Sequence, residues 1–361
     1  MEKIRCIGCG NIIQTEDPTK EGYLPPKVLE KRSLDDVICQ RCFKMKHYNI
    51  IEKTTKNEDN FINELEKVDK KDSLFIYIVD SFDIEGSFVY RINRILGEAN
   101  NLLVLNKTDL FPSSTNFNKF LNLINKEIKE SGLKVLDKVL VSAKSDKNID
   151  VIVDYITKTK LKNIYFIGCT NTGKSSILNK VLRILFDLDK DYLLTKNMVS
   201  TTLSTIEIPF KNKLLCDTPG IINNKQIFNY VDIKDVKKII PEKKIKPKSF
   251  QLKENDCLLV ENLLSIHYEE GSINGFIFYM NSNMKFHRTN LNKVDDLLTT
   301  NKISNINKTE TEYNTYKFNI KDQKKHNIFI CGLGIISFYG TGKINIKVLG
   351  NTGVYLKDAY I

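Results

Sequence analysis

From residue 73 onward the chain alternates continuous apolar runs with amphipathic stretches. The runs "SLFIYIVD" (73–80), "NLLVLN" (101–106), "KVLVSA" (138–143) and "NIYFIG" (163–168) have strand length and predict strands buried on both faces. Between them, 88–97, 117–131 and 149–158 place apolar residues at helical spacing, and a further helix is expected from about 174. Strand and helix in alternation predict a doubly wound parallel α/β sheet. "STIEIPF" (204–210) and "KLLCD" (213–217), parted by Lys211 and Asn212, predict a hairpin attached to it.

The pattern differs on either side of this region. Residues 1–60 show little apolar periodicity and hold two Cys-x-x-Cys pairs. After 221 a lysine-rich stretch leads into β-leaning runs, "CLLVENLLSIHY", "GFIFYM", "NIFICGLGIISFYG" and "KINIKVL", the last alternating strictly at Ile344, Ile346 and Val348. The asparagine- and lysine-rich 296–327 is expected to be a flexible insertion. A chain of 361 residues exceeds what one core usually serves. The expected division is a zinc-binding module (1–60), a nucleotide-binding α/β domain (61–222) and a β-containing C-terminal domain (223–361).

Composition narrows the classes. No apolar run approaches the 18 or so residues needed to span a bilayer, so no membrane role is expected. Only five residues precede Cys6, too few for a targeting peptide, and the expected location is the cytoplasm. Net charge is +11, concentrated at 234–253, where eight lysines stand against Asp235 and Glu242. Such a surface favours a polyanion, although lysine and asparagine are abundant throughout and a solvated surface accounts for it equally.

The chemistry is concentrated in "YFIGCTNTGKSS" (165–176), a strand running into Gly168-Cys-Thr-Asn171-Thr172-Gly173-Lys174-Ser175-Ser176. Glycines let the backbone wrap a phosphate closely, and the helix that follows aims its N-terminal N–H groups at negative charge. Lys174 would neutralise the β- and γ-phosphates and Ser175 would hold Mg²⁺. Asn106-Lys107-Thr108-Asp109 ends a predicted strand, and Ser142-Ala143-Lys144 ends the next. The Asp109 carboxylate can accept from the ring N–H and exocyclic amine of guanine, which adenine cannot offer in that arrangement. Asn106 and Lys107 would tie the base loop to the phosphate loop, and the Ala143 N–H would meet the guanine carbonyl. The ligand expected is GTP, with GDP as product. A second match, Asn292-Lys293-Val294-Asp295, has neither companion and is read as coincidence.

Asp-x-x-Gly, which senses the γ-phosphate and Mg²⁺, also matches twice. Asp217-Thr-Pro-Gly220 follows the phosphate loop at the required distance; Asp83-Ile-Glu-Gly86 is read as a turn. Thr202, or its neighbour Thr201, is positioned to complete the Mg²⁺ shell. The order is base motif, Ser-Ala-Lys, phosphate loop, switch threonine, sensor: a circular permutation. It leaves the chain after Gly220 running directly into the C-terminal region.

With Cys6-x-x-Cys9, "VICQRCFKMKHYN" (37–49), "VDSFDIEGS" (79–87), the permuted motifs and "FICGLGIISF" (329–338), the chain resembles the YqeH-type circularly permuted GTPases over nearly its full length. That resemblance implies a GTPase in assembly of the small (30S) ribosomal subunit, with rRNA or a precursor particle as partner. Two departures are "VSTTLS", where relatives carry Pro-Gly before the threonines, and Ile335, where an aromatic is common. Ile221 stands where Ras-like enzymes have a catalytic Gln. Relatives with such a substitute include enzymes that use K⁺, and Asn171 holds the position that ligates it in them; a loop-stabilising amide is the other reading.

Cys6, Cys9, Cys39 and Cys42 form a four-thiolate set for a structural Zn²⁺, with Lys44, Lys46, His47 and Tyr48 beside it as an RNA contact. Cys169, Cys216, Cys257 and Cys331 are expected to be small buried hydrophobes. The reaction expected is slow attack of water on the γ-phosphate, with Lys174, Asp217, Gly220, Thr202 and Asn171 around it, by a monomer. Two other readings are an RNA-binding scaffold that uses GTP only as an allosteric ligand and a thiol redox protein.

Overall fold

The computed structural model describes residues 65–188 and 205–361 except Asn274 and Asn301, together with scattered positions among the first 62. The chain divides into two compact units. One comprises 1–79, 91–106 and 132–222, and the other 80–90, 107–131 and 223–361. The cut after Ile222 falls where the composition changes. Local pattern gave no sign that 80–90 and 107–131 group with the C-terminal residues.

The first unit is built on a six-stranded sheet. Its strands are β1 (Ser73–Asp80), β2 (Asn100–Asn106), β3 (Asp137–Leu140), β4 (Asn163–Gly168), β5 (Ile206–Phe210) and β6 (Lys213–Asp217), in the order β3-β2-β1-β4-β6-β5. β1 pairs with β4, β2 with β3 and β4 with β6 in parallel, while β5 and β6 form the expected antiparallel hairpin. Every residue of β1 is buried, as a continuous apolar run requires. Ile76, Ile78, Val104, Ile164 and Phe166 join Ile152 and Ile156 of helix Ile149–Lys158 and Ile177, Leu178 and Val181 of helix Lys174–Phe186 in one core. Chain order reverses between β1 and β4, and open α/β sheets bind ligands at the carboxyl ends of strands beside such a reversal.

The second unit is a sandwich of two five-stranded sheets. β7 (Lys248–Phe250), β10 (Phe276–Met280), β13 (Lys325–Ile330), β14 (Gly334–Tyr339) and β16 (Val354–Asp358) make one, in the order β16-β13-β14-β10-β7. β8 (Asp256–Val260), β9 (Leu264–Gly271), β11 (Phe286–Asn290), β12 (Tyr313–Ile320) and β15 (Gly342–Leu349) make the other, in the order β11-β8-β9-β15-β12. The alternating Ile344, Ile346 and Val348 of β15 face Phe276, Phe278, Ile328 and Ile336 of the opposing sheet across a shared core.

The expected flexible insertion at 296–327 is wrong. Helix Val294–Thr299, β12 and the start of β13 occupy it, and β12 pairs along its whole length with β15. As the terminal strand of its sheet, β12 keeps one face toward water, and its polar residues hid the alternation of Tyr316, Phe318 and Ile320. Two elements are also shorter than expected: β3 stops at Leu140, and the helix after β1 spans Tyr90–Leu96.

Candidate nucleotide site

The motifs gather at the carboxyl ends of the parallel strands. β2 ends on Asn106, β4 on Gly168 and β6 on Asp217. Thr172 is pinned inside the phosphate loop, its hydroxyl donating to the Cys169 carbonyl at 2.8 Å. Gly173 has φ +88°, and a Cβ there would lie 2.3 Å from Asn106 Nδ2. Glycine is therefore required twice over, by the left-handed backbone and by the approach of the base motif. At Gly168 a Cβ would lie 2.5 Å from the Ile78 carbonyl oxygen of β1. Asn171 also has a left-handed backbone, φ 62°, which asparagine tolerates better than most residues.

Lys174 and Asp217, each under a tenth exposed, form a buried ion pair. Removing one partner of such a pair strands the other charge, at a cost of about 3–5 kcal/mol. Ser175 and Ser176 sit in the first turn of helix Lys174–Phe186, the former half-buried and the latter exposed. Beyond the sensor, the chain pairs with the phosphate loop. Ile221 donates to the Gly168 carbonyl at 3.1 Å and accepts from the Thr170 N–H at 2.8 Å, with its side chain 2% exposed. The side chain at the Ras glutamine position is thus committed to the core. Gly220 packs beside Thr170, its Cα carrying no side chain into the Thr170 methyl.

Asn106 does join base motif to phosphate loop: its Nδ2 donates to the Thr172 carbonyl at 2.8 Å, and its Oδ1 accepts the Ala143 N–H at 3.0 Å. One expectation changes here. The Ala143 N–H is engaged by Asn106 rather than standing ready for a guanine carbonyl. The Lys107 ammonium bonds Asp80 at the end of β1, 2.6 Å away. Asp109 lies in the 3₁₀ turn Thr108–Leu110, entered through a left-handed Lys107. Ser142 bridges to Lys147, and its hydroxyl accepts the Ser145 N–H at 3.2 Å; Lys144 follows in the same turn. The second match at 292–295 lies in a 3₁₀ turn and helix of the C-terminal unit, with Asp295 paired to Lys347. It follows β11, a half-exposed terminal strand of the sandwich, rather than a buried parallel strand.

Sequence reasoning missed Asp80 and Asp83, both within the quoted "VDSFDIEGS". In the C-terminal unit, Asp83 Oδ2 accepts from Gln226 Nε2 at 2.7 Å and Oδ1 accepts the Gly332 N–H at 2.9 Å. Asn223 donates to the Gly86 carbonyl at 3.0 Å, and the Ile227 N–H donates to the Cys331 carbonyl at 2.9 Å. The segment that follows the sensor is thereby fastened to the turn of the β13–β14 hairpin through one carboxylate. Burial, and then the neighbouring Asp80 carboxylate, push the Asp83 carboxyl up to about 7 against the opposing pull of Gln226, Gly332 and Lys107.

Several expectations fall outside the described residues: Cys6, Cys9, Cys42, Thr201, Thr202, and Lys44 through Tyr48. Cys39 is described and buried. Among the described residues no cluster of His, Cys, Asp and Glu is placed to hold a metal ion. Cys169, Cys216, Cys257 and Cys331 are all buried, and desolvation lifts the Cys216 thiol to about 12 and Cys257 to about 11, far from thiolate reactivity. Among the described residues no helix is long and apolar enough to cross a membrane.

The chain is 39% identical to the protein YqeH of Bacillus subtilis over 353 residues, 95% of each chain. It belongs to the YqeH-type circularly permuted GTPases. A putative nitric oxide synthase of Oryza sativa is 28% identical over 72% of this chain, and NO-associated protein 1 of Arabidopsis thaliana is 26% identical over 76%. The chain spans about half the length of each of those two plant relatives. A family model described as 50S ribosome-binding GTPase matches residues 163–262. That match starts at β4, the strand before the phosphate loop, and leaves out the base motif. The permuted order requires this, because in this family the base motif lies upstream.

Proposed function

We propose that this GTPase is a nucleotide-controlled factor in assembly of the small ribosomal subunit, its affinity for rRNA or a precursor particle set by GTP. The observation that carries the nucleotide half is the convergence of Asn106, Gly168, Gly173, Lys174 and Asp217 at the ends of β2, β4 and β6. The phosphates of GTP would compete with Asp217 for the Lys174 ammonium. Asp217, Ser175 and Thr202 are suited to Mg²⁺, which would neutralise charge on the β- and γ-phosphates. Asp109 would read guanine, with Ser142, Ala143 and Lys144 beside it. With Ile221 buried, no side chain at that position orients water, which supports slow intrinsic turnover.

The ribosomal half rests on kinship and charge. Lys243, Lys244 and Lys246 are exposed in the stretch after the sensor, and they suit a phosphate backbone. The family model's description names the large subunit, so both subunits belong in the test. Co-sedimentation with purified 30S and 50S subunits in GTP analogue, GDP and no nucleotide is expected to show 30S binding that depends on nucleotide and weakens with salt. Lys243→Glu, Lys244→Glu and Lys246→Glu together are expected to reduce it without changing GTP affinity. Equal binding in all three states, or preference for 50S, would sink the switch and favour the scaffold reading if hydrolysis is also negligible.

Two further cofactors belong to this reading. Four thiolates in two Cys-x-x-Cys pairs suit one structural Zn²⁺, and a cytoplasmic location keeps them reduced. K⁺ at Asn171 has a competitor in the left-handed backbone, which alone accounts for an asparagine there. Metal analysis is expected to find one zinc per chain. Hydrolysis is expected to run faster in KCl than in NaCl, with the difference lost in Asn171→Gly, which preserves the backbone. Zinc-free protein, or equal rates in the two salts, removes the respective ion.

A further inference from the structure

β7 and β11 are terminal strands of the two sheets of the sandwich, and a cavity of about 640 Å³ opens between them. That volume lies within the range of roughly 300–1,000 Å³ typical of small-molecule sites. Its walls include Phe250 of β7 and Phe286 of β11, both half-buried and stacked with centroids 4.8 Å apart. Lys248 lies 5.0 Å over the Phe286 ring while donating to the Met284 carbonyl at 2.8 Å. Exposed Lys285 and His287 line the rim, and the exposed Lys243, Lys244 and Lys246 precede β7 in the chain.

Glu261 also lines this cavity, and its chemistry is unlike the rest. It occupies the β8–β9 turn in a left-handed conformation, φ 49°, although only 6% exposed. Its Oε1 accepts the Lys285 N–H at 2.8 Å, whereas Oε2 has no hydrogen-bond partner. A buried oxygen left without a donor costs about 1–3 kcal/mol, and the backbone conformation adds strain. A basic, aromatic cavity with this carboxylate in its wall, one oxygen unpaired and closed to water in the free protein, calls for a ligand with a flat ring, negative charge outside it and an amine that pairs Oε2 when the wall opens to admit it.

We propose that this cavity binds one unpaired nucleotide of an RNA strand, the base packing against Phe250 and Phe286 and its exocyclic amine donating to Glu261. The lysines at the rim meet the flanking phosphates. Cytosine, adenine and guanine carry such an amine; uracil has carbonyls in its place and only its ring N3–H to offer Glu261. The inference extends the ribosomal reading by giving the RNA a place on the protein, and rests on that reading only for which RNA is bound.

The test is fluorescence anisotropy with short labelled oligo(C), oligo(A) and oligo(U), alongside sedimentation of the same proteins with ribosomal particles. Full-length protein is expected to bind oligo(C) or oligo(A) about tenfold more tightly than oligo(U). Phe286→Leu is expected to weaken all three by about tenfold through lost stacking. Glu261→Gln, nearly isosteric, still accepts from Lys285 but offers an amide donor, so the preference should move toward oligo(U). Unchanged melting and GTP affinity check that the variants are folded, and Lys285→Glu, on an exposed residue, supplies a third arm that should weaken binding.

Equal affinity for the three oligonucleotides, unaltered by Glu261→Gln, overturns the site. If particles still sediment with the variants as with the parent protein, the ribosomal reading survives that failure. Oligonucleotide binding with the expected preference, in a protein that ignores ribosomal particles, keeps the site and removes the ribosomal reading. Retention of an extended peptide in place of RNA, lost in the same variants, overturns the nucleotide assignment.

Discussion

Asp109→Asn is expected to lower GTP affinity about 100-fold or more and to make xanthosine triphosphate the better ligand. A site built to pair with donors on its ligand rejects a mismatch steeply, because a buried group is left without its partner. The asparagine amide would donate to the carbonyl that xanthine has in place of the guanine amine. The surrounding structure should survive the change. The turn carrying Asp109 is fixed on its far side by the Ile245 N–H bonded to the Leu110 carbonyl at 2.9 Å, and by Phe111 packed edge-on to Phe120 and Phe82. Asp295→Asn is the control and should leave nucleotide affinity alone, since that carboxylate is exposed and paired with Lys347. Nucleotide preference that followed Asp295 instead would dismantle the assignment of the base site.

Replacing Asp83 should change stability by several kcal/mol and in a pH-dependent way. Asp83→Ala leaves the Gln226 amide and the Gly332 N–H without their acceptor, at about 1–3 kcal/mol each. Asp83→Asn isolates the titration. The carboxyl has its pKa raised from 3.8 to about 7 in the folded protein, so between those values the folded state holds a proton that the unfolded chain has released. Its contribution is fully present below about pH 4 and is lost as pH rises through about 7. A shift of that size corresponds to about 4 kcal/mol as a ceiling, discounted for a side chain that is not wholly enclosed. Denaturant unfolding of both proteins between pH 4 and pH 8 should show the parent losing stability relative to Asp83→Asn across that window. Parallel profiles would mean that Asp83 is ionised throughout, with Lys107 outweighing burial and Asp80.

What the sequence disclosed follows from how local each cause is. Helices Phe117–Ser131 and Ile149–Lys158 and strands β1 and β4 fall on their expected bounds, because a continuous apolar run or a helical spacing is written in adjacent residues. The phosphate loop and Asn106 were legible because few residue types can serve there. Asp83 was not, since the Gly332 N–H that it accepts is 249 positions away and a turn is all its neighbours announce. The Lys107–Asp80 pair was hidden for the same reason: the motif gives Lys107 a charge, and only the fold brings Asp80, 27 positions earlier, to it.

Tyr360, 2% exposed, sets its ring against Phe111, Phe120 and Phe329, and its carbonyl accepts the Asn116 N–H at 2.9 Å. Lys357 pairs with Glu85 at 2.6 Å and with Glu127. The residues following the base motif thus lean on some of the latest-numbered residues of the chain. During vectorial synthesis the sheet of the first unit can close once residue 217 has emerged, but Phe111 and Phe120 wait for Tyr360. Contacts of such long sequence separation are slow to form and leave apolar surface open meanwhile. A nascent chain halted just after the sensor would carry every nucleotide motif and still lack the packing that steadies the stretch after Asp109, so full guanine discrimination should arrive only once Tyr360 has emerged.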